Sequence, residues 1–147
     1  MKPTMTLSVA AFTLAALAAG SYALAQSPRT PSPAGAKVYF IQPKDGENVK
    51  GPVKVVMGLA GMGIAPAGLD AGADTGHHHV LINVDKFNVA AAVPNDDKHR
   101  HFGRGQTETM LNLPDGKHTL QLVLGDRNHL PHNPPVMSQK ITITVTK

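Results

Sequence analysis

The chain has 147 residues, a formal net charge of +4, 4% aromatic residues and no cysteine. Its Lys and Arg residues are scattered, and it offers neither a stripe of basic and aromatic residues nor a stacking platform, so we exclude nucleic acid as a partner. Without cysteine, disulfides, thiol catalysis and a lipid-modified amino-terminal cysteine are also excluded.

Residues 1–25 have the pattern of a secretory signal peptide. Lys2 supplies a positive start, residues 7–19 form an apolar run that is short for a bilayer span, and the segment ends with Ala-Leu-Ala. We therefore predict cleavage before Gln26, export to the periplasm of a diderm bacterium, and no membrane span after cleavage. The alternative is an uncleaved membrane anchor, which the short run and the interrupting Gly20 disfavour.

The rest of the chain divides into a linker and one domain. Residues 26–36 are rich in Pro, Ser and Gly, which is typical of a flexible linker. Residues 37–147 are enough for a single domain with its own core.

Short segments with the two-residue period of β-strands follow one another through this domain, separated by turn signals such as Asp45-Gly46 and Asp115-Gly116. In chain order they are 37–42, 52–59, 77–84, 107–113, a strand after Gly116 carrying Leu120, Leu122 and Leu124, and 140–147. No long window has helical periodicity. The pattern predicts an all-β protein, an immunoglobulin-like β-sandwich of about seven strands.

All eight histidines lie between His77 and His132, mostly in segments that flank strands or form loops. Residues two apart in a strand share a face, so His77 and His79 present paired imidazoles while His78 points the other way. The same spacing recurs in His99 and His101. A third pair, His129 and His132, lies in a stretch stiffened by prolines. Imidazoles from several segments make a multidentate metal site when a domain folds. The predicted ligands are His77, His79, His99, His101, His129 and His132, with His78 and Met62 as further candidates.

An alternative interpretation is that these histidines hydrogen-bond loop backbone and neighbouring carboxylates and bind no metal. For His118, which shares a strand face with Leu120, Leu122 and Leu124, we predict this structural role: a hydrogen-bonded histidine in the core or at its edge.

The chemistry of the donors favours copper over zinc. Structural zinc sites usually contain cysteine, whereas copper accepts imidazole nitrogen and, as copper(I), thioether sulfur. Met62 and Met137 lie in or beside loops, whereas Met57 and Met110 fall in strand patterns that predict core positions. Carboxylates available to orient the imidazoles are Asp74, Asp85, Asp96, Asp97 and Asp126.

The sequence contains little that indicates an enzyme. No G-x-S-x-G motif is present, and the glycines of FGRGQTE, residues 102–108, lack the Gly-Lys-Ser/Thr ending of a phosphate-binding loop. A bound copper could support redox chemistry, but no substrate pocket can be identified. We predict no catalytic residues and no enzymatic activity.

Four stretches carry a resemblance to a known family: VYFIQPKDGENVKGPVKVVMGLAGMGIAPAG, TGHHHVLINVD, HRHFGRGQTETMLNLPDGKHTLQLVLGD and HLPHNPPVMSQKITITV. Together, from Val38 to Val145, they resemble the domain-of-unknown-function 4399 family of exported bacterial proteins. The resemblance implies export and a β-sandwich but no catalytic or ligand roles. PKDGENVKGPVKV is also similar, at fold level only, to the opening of small periplasmic copper-resistance β-sandwiches.

Three functional hypotheses follow from the sequence. The first is a periplasmic, histidine-rich metal-binding protein, a copper carrier or buffer whose partners are the metal ion and another periplasmic protein. The second, from a different class, is a non-catalytic interaction or structural domain of the cell envelope. The third is a copper-dependent redox enzyme.

Overall fold

A computed structural model describes residues 28–147, which contain nine β-strands and no helix. The strands are β1 (Lys37–Gln42), β2 (Asn48–Lys50), β3 (Val53–Ala60), β4 (Gly63–Ile64), β5 (Thr75–Ile82), β6 (His99–His101), β7 (Glu108–Leu111), β8 (Gly116–Gly125) and β9 (Ile141–Thr146). The all-β prediction is confirmed. The predicted signal peptide lies outside the described residues, and within them no helix is long and apolar enough to cross a membrane.

The strands form two sheets. One is three-stranded, with the antiparallel order β1-β3-β7, and the other is six-stranded, with the order β2-β9-β8-β5-β4 and β6 also paired to β5. The strand count exceeds the expected seven because β2, β4 and β6 are only two or three residues long. Segments of that length are too short for a two-residue period to stand out in the sequence.

The main core lies between the two sheets. Alternating residues of β1, β3 and β7 face alternating residues of β5, β8 and β9, and the side chains of Val55, Leu120 and Ile143 are completely buried. Met57 is buried in this core as predicted. The prediction for Met110 is wrong: it is 55% exposed, because β7 turns Leu111 inward and Met110 outward.

A second, smaller apolar cluster covers part of the opposite face of the six-stranded sheet. It consists of Leu81, Val93 and Val123, with three partly buried neighbours, Val84, Phe87 and Met137. Strand alternation would put Val84 on the same face as Val80 and Ile82. Asn83 has a positive φ of 55° and ends the alternation, so Val84 packs in the smaller cluster instead. The connections β5–β6 and β8–β9 therefore bury a face that would otherwise meet solvent.

Part of the predicted linker is hydrogen-bonded to the domain. Arg29 Nε donates to the Pro131 carbonyl at 2.9 Å, and Thr30 Oγ1 donates to Asp126 Oδ2 at 2.7 Å. The Thr30 carbonyl also accepts from the Asn133 backbone N–H at 2.9 Å. Residues 29–32 thus lie along the connection between β8 and β9.

Candidate metal centre

Four imidazole rings converge on the covered face of the six-stranded sheet. His77 and His79 come from β5, His101 from β6, and His129 from the connection between β8 and β9. Every pair of these rings has centroids between 4.7 and 6.0 Å apart. We call these four residues the histidine cluster.

Strand register brings three of the four rings together. His77 and His79 share a face because they are two residues apart in β5. His101 is the antiparallel partner of His79, and directly paired residues project side chains on the same side of a sheet. The two His-x-His spacings in the sequence therefore meet across one strand pair.

The fourth ring is held by a tight turn after β8. His129 has a positive φ of 66°, a conformation that costs energy for a residue with a side chain. Its N–H donates to the Asp126 carbonyl at 2.9 Å, and the Asp126 N–H donates to the Leu130 carbonyl at 2.8 Å. The Asp126 carboxylate accepts from the backbone N–H groups of Asn128 and Leu130 at 2.8 and 3.0 Å. These bonds fix the turn that places the His129 ring against His101.

Two glycines leave room for the rings. Gly125 is the cross-strand partner of His77, and a Cβ at this position would lie 2.6 Å from Cε1 of His79. A Cβ at Gly103 would overlap the ring of His101. The sequence prediction missed both residues, although each glycine stands within two residues of a strand end in a histidine-containing segment.

The two cluster rings contributed by β5 are buried, and the described residues offer them no partner with hydrogen-bond geometry. His77 and His79 have no exposed surface, and none of their four ring nitrogens has a partner among residues 28–147. Buried polar atoms are normally paired, and an unpaired one costs about 1–3 kcal/mol. The Nε2 atoms of His101 and His129 face each other at 3.2 Å, a contact in which only one of the two carries the proton.

Burial keeps three rings of the cluster uncharged at neutral pH. Desolvation lowers the pKa of His77 from 6.5 to about 4; repulsion from His129 and His101 adds to this effect, and attraction to Asp126 opposes it. Desolvation and the neighbouring histidines lower the pKa of His79 to about 2, against a weaker opposing contact with the Val123 backbone. Burial and His129 also lower the pKa of His101. At neutral pH these three imidazoles therefore hold free electron pairs, as metal ligation requires.

Three of the rings have the spacing of a metal site. One ring nitrogen each from His77, His101 and His129 lies within 4.8 Å of the other two. Two imidazole nitrogens bound at 2.0–2.1 Å to one tetrahedral ion are about 3.3 Å apart, which is close to the distance between the Nε2 atoms of His101 and His129. His79 is not in this set of three; its ring stacks on His101 with centroids 5.2 Å apart. The cluster could thus hold one metal ion with three histidines, with a fourth beside them.

The other predicted ligands lie outside the cluster. His99 shares the strand and the face of His101, but its Nδ1 pairs with Asp96 Oδ1 at 2.8 Å. His132 is buried, with Nε2 3.1 Å from the Thr75 carbonyl oxygen, and among the described residues its ring is not stacked on any ring of the cluster.

The two further candidates face apolar surroundings. His78 is buried on the other face of β5, toward the main core, as its spacing predicted. Both of its ring nitrogens lack a partner among residues 28–147, and desolvation lowers its pKa to about 4. Met62 packs against the main core, and Met137 packs against the smaller apolar cluster.

His118 has the structural role predicted for it. Its Nδ1 lies 3.0 Å from Asn83 Nδ2 and its Nε2 lies 2.8 Å from the Pro114 carbonyl oxygen. Of the carboxylates considered as partners for imidazoles, Asp96 bonds His99, and Asp126 lies close enough to His77 to affect its pKa.

Comparison with known proteins identifies a family but no characterised relative. A family model described as "Domain of unknown function (DUF4399)" matches residues 55–146, which include all eight histidines. No curated protein and no solved structure matches the chain.

Proposed function

The chain belongs to the DUF4399 family, and we propose that it is a periplasmic metal-binding protein whose histidine cluster carries or buffers copper. The observation that carries the proposal is the convergence of four imidazoles, two of them fully buried without a hydrogen-bond partner among residues 28–147, and three of them (His77, His101 and His129) with ligand atoms within 4.8 Å of one another. A bound ion would satisfy nitrogens that are otherwise buried at a cost. Export to the periplasm is supported by the sequence of residues 1–25 alone.

The donor set favours copper among the common metals. The cluster offers only imidazole nitrogen, which suits copper and zinc, and at equal geometry divalent copper binds more tightly than zinc. The cysteine ligands typical of structural zinc sites do not occur in this chain.

Unequal exposure of the four rings supports reversible loading. His77 and His79 are fully buried, whereas His101 and His129 are partly exposed. An ion would therefore arrive and leave on the side of His101 and His129. Another periplasmic protein that receives the ion would contact the turn after β8.

The test is a metal titration of the exported protein, purified from the periplasm without an affinity tag. We expect one Cu²⁺ per chain and an affinity for Cu²⁺ at least about tenfold higher than for Zn²⁺. His77→Ala should abolish tight binding, and His118→Ala is the control, because it removes a buried histidine outside the cluster. Binding no tighter than that of an unfolded peptide with the same histidines would overturn the proposal.

One observation favours the envelope interaction domain as a second candidate. Tyr39, Ile41 and Met110 are 44–55% exposed on the strands at the two edges of the three-stranded sheet, where water contacts apolar surface. This function predicts a protein partner whose binding is unchanged when metal is removed by a chelator. If the protein is instead a copper carrier, its binding to a partner should depend on whether the metal is bound.

A further inference from the structure

Asp126 is a buried carboxylate directly beside the histidine cluster. It follows Gly125, the cross-strand partner of His77, and is 4% exposed. Its Oδ1 accepts two backbone N–H groups of the turn that carries His129, and its Oδ2 accepts the Thr30 hydroxyl. All of these donors are neutral.

No cationic side chain of the part of the chain that the structure describes pairs with this carboxylate. Among residues 28–147, no Lys, Arg or His nitrogen lies within 4.0 Å of it. The adjacent Arg127 pairs instead with Asp70 at 2.7 Å, and Arg29 donates to the Pro131 carbonyl. Its three hydrogen bonds stabilise the carboxylate, but its negative charge has no opposite charge beside it among residues 28–147, so a cation bound nearby would be attracted to it.

The field of Asp126 reaches the cluster. Asp126 directly follows Gly125, the cross-strand partner of His77, and its own carbonyl accepts from the His129 N–H at 2.9 Å, so it adjoins two of the cluster residues. A positive charge among the imidazoles is therefore stabilised by this carboxylate. Because imidazole ligands are neutral, they bring no negative charge of their own to a bound ion.

We infer that Asp126 is the counter-charge of the histidine cluster and makes the cluster select a divalent over a monovalent cation. The attraction between a carboxylate and an ion is proportional to the charge of the ion, so Asp126 favours Cu²⁺ twice as strongly as Cu⁺. The inference rests on the proposed function and adds that oxidised copper is the preferred cargo. Asp126 is in this sense a specificity-determining residue that need not touch the ion.

The test is Asp126→Asn. The amide oxygen can still accept from Asn128 and Leu130, and the amide nitrogen can donate to the Thr30 hydroxyl, so the turn keeps its hydrogen bonds while the charge is lost. The affinities for Cu²⁺ and, under anaerobic conditions, for Cu⁺ are measured by chelator competition. We expect a loss of about 100-fold for Cu²⁺ but only about tenfold for Cu⁺, because the electrostatic free energy scales with the ionic charge.

Asp70→Asn is the matched control. It removes one negative charge from an exposed side chain that pairs with Arg127, where solvent screens its field. We expect both copper affinities to change less than about twofold.

A second variant leaves the turn untouched. Thr30→Lys places an ammonium next to Asp126 Oδ2 and cancels its charge without changing the contacts to Asn128 and Leu130. It should lower the ratio of Cu²⁺ to Cu⁺ affinity in the same direction as Asp126→Asn. If both variants keep the wild-type ratio, the inference is wrong. If the wild-type protein binds neither ion, the proposed function itself fails.

Discussion

The histidine cluster and His118 are two histidine sites on the six-stranded sheet, yet their surroundings differ. His118 has a hydrogen-bond partner for each ring nitrogen, the Asn83 amide and the Pro114 carbonyl. His77 and His79 are more deeply buried and have none among the described residues. Burial alone therefore does not identify a ligand. The difference lies in whether the fold supplies a partner for each nitrogen or brings unpaired nitrogens together.

His78 shows that a buried ring without hydrogen bonds is not by itself enough to indicate a metal site. Its ring nitrogens are also buried and unpaired among residues 28–147, but it lies on the other face of β5, away from the cluster. An isolated imidazole cannot hold an ion with the affinity of three. What indicates a metal site is the convergence of several rings, two of them unpaired among residues 28–147, rather than one unpaired ring alone.

The largest expected difference between the two sites is in the pH dependence of stability without metal. The pKa of His77 is about 4 in the folded chain and 6.5 in the unfolded chain, so protons bind preferentially to the unfolded chain between these values. The stability is intact above pH 6.5 and falls as the pH drops toward 4. For His77 the loss amounts to about 3 kcal/mol, and His79, with a larger lowering, should add to it.

Urea unfolding of the metal-free protein at pH 7.5 and pH 4.5 measures this loss. His77→Gln should reduce the pH dependence, since the replacement does not titrate in this range. Equal free energies of unfolding at the two pH values would mean that the cluster is not buried as described.

Filling the space beside the cluster should have the next largest effect. Gly125→Ala places a methyl group 2.6 Å from Cε1 and 3.1 Å from Nδ1 of His79, so the ring or the strand must move. We expect a loss of about 2–3 kcal/mol in a thermal or urea melt, together with weaker copper binding.

Gly63→Ala is the control for that substitution. Its new methyl group would meet Thr75 Cγ2 at 3.6 Å, an ordinary contact, so stability should change by no more than about 0.5 kcal/mol. Should the two alanine variants melt alike, Gly125 does not shape the site.

Much of the fold and part of the cluster could be predicted from the sequence, because strand periodicity encodes them. The spacing of His77 and His79 gives their shared face, and that of His118 with Leu120 gives its inward orientation. The sequence could not separate His101 from His99, since both have the same spacing and only the strand register, set by long-range pairing, puts His101 opposite His79.

The conformation of the turn after β8 could not be predicted from the sequence, for a different reason. His129 and His132 have similar loop surroundings in the sequence, but the positive φ of His129 and the hydrogen bonds of Asp126 turn only His129 toward the cluster. Such a conformation depends on side chains around the turn and leaves no periodic signal.

Replacing His118, whose two ring nitrogens both have partners, should cause a smaller loss of stability. His118→Ala leaves the Pro114 carbonyl and the Asn83 amide without their partner, at a cost of about 1–2 kcal/mol in a thermal melt of the metal-free protein. Copper affinity should stay within about twofold of wild type. A large loss of copper affinity would erase the distinction between this residue and the cluster.

The smallest effect on stability is expected for His99→Ala. The residue bonds Asp96, whose side chain is 54% exposed, and ion pairs open to solvent contribute little. We expect the free energy of unfolding to change by about 0.5 kcal/mol or less. A loss above about 2 kcal/mol would instead indicate that His99 supports the fold.

The most direct test compares copper titrations of His101→Ala and His99→Ala. The two residues lie on the same face of β6, two positions apart, but only His101 has a ring nitrogen in the set with His77 and His129. His101→Ala should lower copper affinity by about 100-fold or more, and His99→Ala by less than about threefold. Equal losses in the two variants, or no loss in either, would contradict a metal site formed by the histidine cluster.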